Sequence, residues 1–183
     1  MASRSDQILQ AAARLFAERG YGATGIDDIG AAVGVSGPAI YWHFPGKQAL
    51  LAAMLTDVSE RLLAGGLECV AQADGDEAAL AALVAMQVEF ALEEPDLILV
   101  HGRELHHLDT AQAHSVRLLQ RQYVDVWVDA LQRRHPNASR ERLAAAVQAA
   151  IGLVNSTPYV GKLPRKALAP LLHDMALAAL AAV

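Results

Sequence analysis

At 183 residues the chain is long enough for one good hydrophobic core or two small ones. Its 54% hydrophobic content, rich in Ala and Leu, points to an all-α protein, and the longest unbroken apolar runs, Ala78–Met86 and Met175–Val183, fall far short of the roughly 20 residues that span a bilayer. The net charge of −5 is only a weak argument against nucleic acid, because binding depends on where the positive groups sit. Residues 1–50 are neutral, with Arg4, Arg14, Arg19 and Lys47 set against Asp6, Glu18, Asp27 and Asp28. No apolar run follows Arg4, so no signal peptide is expected, and a lone Cys69 fits a reducing cytoplasm and a small buried role.

In chain order, Ser3 or Ser5 can cap a first helix that carries Ile8, Ala12, Leu15 and Phe16 on one face, and Gly20 and Gly22 stop it. Thr24 stands where an N-cap belongs, with Asp27 and Asp28 in the favoured first turn. Ile26, Ile29 and Val33 form the inner stripe of a short second helix closed by Gly34. Pro38 sits in the first turn of a third helix, with Ile40 and Phe44 inward, and Pro45-Gly46 ends it. Two short helices joined by a Gly-containing turn make a helix-turn-helix.

A longer helix runs from Lys47 with Leu51, Met54, Leu55, Val58 and Leu62 inside, until Gly65-Gly66 and the polar stretch Gln72–Asp76 loosen it. Further helices are expected at about 77–94, 96–107, 110–135 and 140–155, then from about 165, with Pro158, Gly161 and Pro164 marking the last connection.

The stretch "GVSGPAIYWHFPG" (Gly34 to Gly46) holds three of the chain's nine Phe, Tyr and Trp residues. A recognition helix must bring its N-terminal residues against base edges and phosphates, and Ser36-Gly37-Pro38-Ala39 lets the backbone come close. Ser36 can cap the helix and donate to a phosphate, and the first-turn N–H groups form an anion site. Tyr41 and His43 offer further phosphate donors, and Lys47 adds a point charge. The plainer reading of Tyr41, Trp42 and His43 is packing of the small domain.

The segment "ILQAAARLFAERGYGATGIDDIGAAVGVSGPAIYWHFPGKQALLAAML", Ile8 to Leu55, resembles the DNA-binding domain of the TetR family of bacterial transcriptional regulators. Three groups of residues carry the resemblance. They are Ala12-x-x-Leu15-Phe16-x-x-x-Gly20-Tyr21, Thr24-x-Ile26-x-x-Ile29-x-x-x-x-Gly34-Val35-Ser36, and Ile40-Tyr41-x-His43-Phe44-x-x-Lys47-x-x-Leu50. The resemblance implies a helix-turn-helix DNA-binding domain over 1–46 and a helical ligand-binding and dimerisation domain over 47–183, with the helix from 47 linking them. It implies a homodimer on a palindromic operator, usually repressing, and no cofactor. By matching position it assigns Thr24, Ser36, Tyr41, His43 and Lys47 to phosphates, and Gly37, Pro38 and Ala39 to the bases, with Trp42 beside them. Gly25 departs from the family's usual Thr or Ser, and Gly37 and Ala39 carry no hydrogen-bonding side chain. Base reading would then lean on thymine methyls, backbone approach and DNA shape.

Past residue 60, "RQYVDVWVDAL" and "AAIGLVNSTP" are similar to actinobacterial TetR-like repressors of fatty-acid or steroid breakdown that respond to acyl-CoA thioesters. An effector pocket between helices needs apolar walls and a few placed polar groups. Met86, Phe90, Leu105, Tyr123 and Trp127 could be wall, and His101, Arg103, Arg121 and Asn155 anchors; plain core and a helix cap at Asn155 are the simpler readings. Glu104 and His107 lie three apart, as metal ligands can, but no second pair accompanies them, so no metal site is expected. No catalytic constellation or phosphate loop is visible, so an enzyme is not expected. The last two helices, with Leu143, Val147, Ile151 and Val154 and then Leu168, Leu171, Leu172, Met175, Leu177, Ala179 and Leu180, suit a four-helix dimer interface. Two alternatives remain: a helical small-molecule-binding protein with a vestigial head, and an activator of the same fold.

Overall fold

The protein is described by a computed structural model covering residues 3–160 and 163–183; Gly161 of the last connection lies outside the described residues. Among the described residues every regular element is helical. In order they are α1 (Arg4–Arg19), α2 (Ile26–Ala32), α3 (Gly37–Ile40), α4 (Lys47–Gln72), α5 (Asp76–Glu93) and α6 (Pro95–Glu104). A 3-10 turn at Leu105–His107 follows, then α7 (Thr110–Arg134), α8 (Arg140–Val154) and α9 (Arg165–Ala181). None of these helices is long and apolar enough to cross a membrane.

The helices gather into two compact units. The first takes the residues up to Val58 together with Asp96–Val116, and the second takes Ser59–Pro95 with Arg117–Val183. The head unit thus extends past residue 46. Its core explains why: Ile8, Leu15, Phe16, Ile29 and Ile40 are buried, and so are Leu50, Leu51, Met54 and Leu55 of α4 and Val100, Leu108 and Val116 farther on. In the second unit α5 packs on α8 and α9, which pack on each other. Leu83, Val84, Leu143, Val147, Val154, Leu172 and Leu180 are buried there, as is Trp127.

Local chemistry explains the helix ends. Ser3 caps α1 in a reciprocal box, its hydroxyl accepting from Asp6 N–H (3.1 Å) while Asp6 accepts from Ser3 N–H (2.8 Å). Thr24 is not the cap of α2. Gly25 holds that place, and its N–H donates to the Asp28 carboxylate at 2.8 Å. At the turn between α2 and α3, Gly34 has φ +72°, and a Cβ on Gly30 would lie 2.8 Å from the Val35 carbonyl oxygen.

Two other expectations need correction. The third helix stops at Ile40 and continues only as a turn, with the His43 and Phe44 N–H groups both donating to Ile40 O at 2.9 Å. Gly65-Gly66 does not loosen α4, which runs unbroken to Gln72. The pair makes room instead: a Cβ on Gly65 would meet Met86 Sδ at 2.7 Å, and one on Gly66 the Tyr123 ring at 3.0 Å.

Candidate nucleic-acid interface

The α2–turn–α3 segment leaves an unusual surface at its end. Tyr41 is 55% exposed and Trp42 90% exposed, so neither ring packs the small domain, and the plainer reading of Trp42 fails. Ser36, Pro38 and His43 are also exposed, and Ala39 is half-buried. His43 is steadied from α1, its Nδ1 lying 3.2 Å from the Ser5 hydroxyl. Ser36 occupies the N-cap position of α3, but its hydroxyl makes no capping bond and remains available. These side chains can offer a phenol, an indole, an imidazole and a hydroxyl to a phosphate or a base edge.

Three candidates sit differently. Gly37 is buried, and a Cβ there would fall 1.8 Å from Asp27 Oδ1. A Cβ there would have to turn the exposed Asp27 carboxylate aside, and Gly37, being buried, offers little surface to a base. The exposed Asp27 carboxylate lies beside the start of α3, where a phosphate would meet a like charge. Thr24 is 1% exposed, and its hydroxyl is shared between the carbonyls of Gly20 (3.0 Å) and Leu15 (3.3 Å). A side chain buried in that way cannot reach a phosphate. Lys47 is half-buried, and its Nζ donates to Tyr21 O at 2.7 Å and Thr24 O at 2.9 Å.

The effector candidates are divided between the two units. His101, Arg103 and Leu105 belong to the first unit, and the other six to the second. Arg103 and Arg121 are exposed, and burial pushes the His101 pKa down. In the second unit a buried polar line links three helices. Tyr123 O–H donates to Gln87 Oε1 at 2.7 Å, and Gln87 Nε2 donates to Asn155 Oδ1 at 2.8 Å. Burial holds the Tyr123 hydroxyl well above its ordinary range. Trp127 meets Tyr123 edge-on with ring centroids 6.0 Å apart. Its N–H is the one buried side-chain polar atom among the described residues with no bond of hydrogen-bonding geometry. Met86 and half-buried Phe90 lie on α5, Met86 beside Gly65 and Cys69 Sγ. Burial, and Glu68 next to it, raise the Cys69 thiol pKa, so it is a poor nucleophile.

One residue with a clear role, Gln87, goes unmarked in the sequence, and Glu104 stands there only as a metal-ligand candidate. Gln87 is buried on α5 in register with Leu80, Leu83 and Ala91, and Glu104 is buried on α6 in register with Leu97 and Val100. A polar residue at a buried position of an apolar stripe was the signal for both. Glu104 and His107 belong to one hydrogen-bonded cluster, and among the described residues no three metal-ligating side chains come together. An open cleft of about 530 Å³ on the head is lined by Gln7, Gln10, Ala11, Arg14, Ala32, Val33 and Asp96.

Comparison with known proteins agrees with the helix-turn-helix. Residues 8–54 match the family described as bacterial regulatory proteins, tetR family. A transcriptional repressor named KstR2 from Rhodococcus jostii (strain RHA1) is 28% identical over 130 residues, 70% of this chain but 64% of that protein's length. The crystal structure of a TetR-family transcriptional regulator from Bordetella parapertussis 12822 superposes with a TM-score of 0.85 at 25% identity, covering 97% of this chain and 95% of that one. The ketosteroid transcriptional regulator KstR2 of Mycobacterium tuberculosis gives a TM-score of 0.81 at 20% identity, over 97% of this chain and 95% of its own. These are regulators and not an enzyme class. The helix-turn-helix segment thus matches the tetR family of bacterial regulatory proteins, and the fold of the whole chain matches that of a TetR-family regulator.

Proposed function

We propose that this chain is a ligand-responsive, DNA-binding transcriptional regulator of the bacterial cytoplasm, acting as a homodimer that represses from a palindromic operator. The observation that carries the reading is the unpacked aromatic pair Tyr41 and Trp42 at the end of the helix-turn-helix. An exposed indole next to a phenol, an imidazole and a free hydroxyl is what a major-groove surface of low charge can offer. Ser36, Pro38, Ala39, Tyr41, Trp42 and His43 are its working residues. The effector is a small apolar molecule or an acyl-CoA-type thioester, received beside Met86, Phe90, Tyr123, Trp127 and Asn155. Support for that class comes from the similarity to KstR2, a ketosteroid transcriptional regulator.

Selection of duplexes from a random-sequence pool, followed by anisotropy titration of the winner, tests the DNA reading. A palindromic winner bound by a dimer is expected. A thermal-shift screen with acyl-CoAs and sterols tests the effector, since a ligand held only by the folded state raises apparent stability. One observation favours a second reading, a small-molecule-binding protein with a vestigial head: the head carries few cations, and Lys47 is engaged internally. Failure of the pool to yield any enriched sequence would select it.

A further inference from the structure

We propose that Lys47, together with Glu104, acts on DNA binding as a positioning residue of the connection between α1 and α2, and not as a phosphate contact; this rests on the DNA-binding reading above. An ammonium has three N–H donors. Two of those on Lys47 end on the carbonyls of Tyr21 (2.7 Å) and Thr24 (2.9 Å), and the group lies 4.3 Å from the centroid of the Tyr21 ring, within cation–π range. With two donors so held and the charge drawn to the Tyr21 ring, at most one N–H remains for a phosphate.

The same connection is held from α6. Glu104 is 7% exposed, and its Oε1 accepts the Tyr21 N–H at 3.3 Å. Its Oε2 lies 3.3 Å from His107 Nε2, and the His107 ring stacks on Tyr21 with centroids 4.4 Å apart. Gln48 donates to the His107 carbonyl at 2.9 Å, tying the 3-10 turn to the start of α4. Thr24, whose hydroxyl holds the carbonyls of Leu15 and Gly20, closes the loop from α1. Residues 20–25 are thus fixed from α1, α4 and α6, and α2 begins at the next residue, Ile26. Since α2 packs on α3, the clamp sets where the α3 surface lies.

The test uses the full-length protein and a labelled duplex selected by the wild type, with each variant titrated well below its own melting transition. Lys47→Ala and Glu104→Ala should each lower affinity by roughly tenfold, and Lys47→Ala should leave the slope of log affinity against log salt unchanged, where loss of a phosphate contact lowers it by about 0.9 per head. The double variant should lose about as much as one single variant, because both act through one connection. Glu104→Gln, which keeps an oxygen for the Tyr21 N–H, should restore affinity, an outcome that a generic fold defect would not give. If Lys47→Ala does not fold, Lys47→Gln keeps one donor without the charge and yields the same slope. A slope reduced by about one per head overturns the inference and restores Lys47 to the phosphates. Additive losses, or no loss at all, overturn it as well. A wild type that binds no duplex takes the DNA-binding reading and this one down together.

Discussion

Trp42 stands 90% exposed, although an indole that buries the usual ~150–250 Å² would gain roughly 4–6 kcal/mol at about 25 cal/mol per Å². The folded chain makes no use of that ring, so Trp42→Ala should change unfolding free energy by no more than ~0.5 kcal/mol. Operator affinity should fall by about tenfold or more, as for an aromatic anchor at an interface. Melting curves and anisotropy titrations on the same sample separate the two effects. A matching loss of stability would return the ring to packing. His101 gives a second prediction at this scale. Burial lowers its pKa in the folded protein, while the unfolded side chain stays near 6.5. Between those two values the unfolded chain binds more protons than the folded one. Stability contributed by neutral His101 is therefore complete above about pH 6.5 and declines as pH falls through that window. Urea midpoints measured on either side of it should drop on acidification, and His101→Gln should flatten the drop. An unchanged slope in the variant would assign the acid sensitivity to other groups.

Among the helices, α4 carries the most instructive pair of neighbours. In a helix interior Gly→Ala gains up to about 1 kcal/mol from propensity alone. At Gly65 the new methyl would meet Met86 Sδ, part of a flexible, half-buried chain that can move aside. Gly65→Ala should therefore be neutral or slightly stabilising. At Gly66 the methyl would press on the Tyr123 ring, which is buried and bonded to Gln87. Gly66→Ala should cost about 1–3 kcal/mol by overpacking, read from denaturant midpoints at constant slope. Equal effects at the two positions would mean that ring and thioether yield alike. The same helix marks how far the sequence was legible. Helical periodicity and caps placed α1, α5, α7, α8 and α9 to within a residue or two, because those signals are local. Gly65-Gly66 read as an ending because propensity is local too, whereas the reason for the glycines is a methionine and a tyrosine on other helices. The head shows the same division. Motif spacing located the helix-turn-helix, but Lys47 takes its partners 26 and 23 residues away, and Glu104 reaches a backbone N–H 83 residues away. Such pairings form only when the chain is folded, and no spacing rule announces them.

At the scale of the molecule, α9 divides its apolar residues between two tasks. Leu168, Leu172, Ala176 and Leu180 are buried within the second unit, while Leu171 and Met175 are 45% and 46% exposed. On α8, Ala145, Ala149 and Gly152 are likewise exposed and small enough to let a second copy approach closely. Leu171→Glu should therefore give folded monomers by light scattering, since a charge would enter an apolar dimer interface, and those monomers should lose most operator affinity. Leu172→Glu should unfold the unit instead. A dimeric Leu171→Glu would move the interface elsewhere. Assembly matters because the proposed effector and DNA surfaces belong to different compact units, and α4 contributes turns to both. A ligand that binds both arrangements of a dimer equally shifts nothing, however tightly it is held. A hundredfold fall in operator affinity requires roughly 2.7 kcal/mol of differential binding, within the usual range of coupling energies. Reciprocity then demands that saturating operator weaken effector binding by the same factor. Trp127 is the residue to perturb, because its ring is fully buried edge-on to Tyr123 and Phe can keep most of it. Trp127→Phe should bind operator as the wild type does, while effector affinity falls and a larger dose is needed to release DNA. An unchanged effector response would leave Trp127 as core alone.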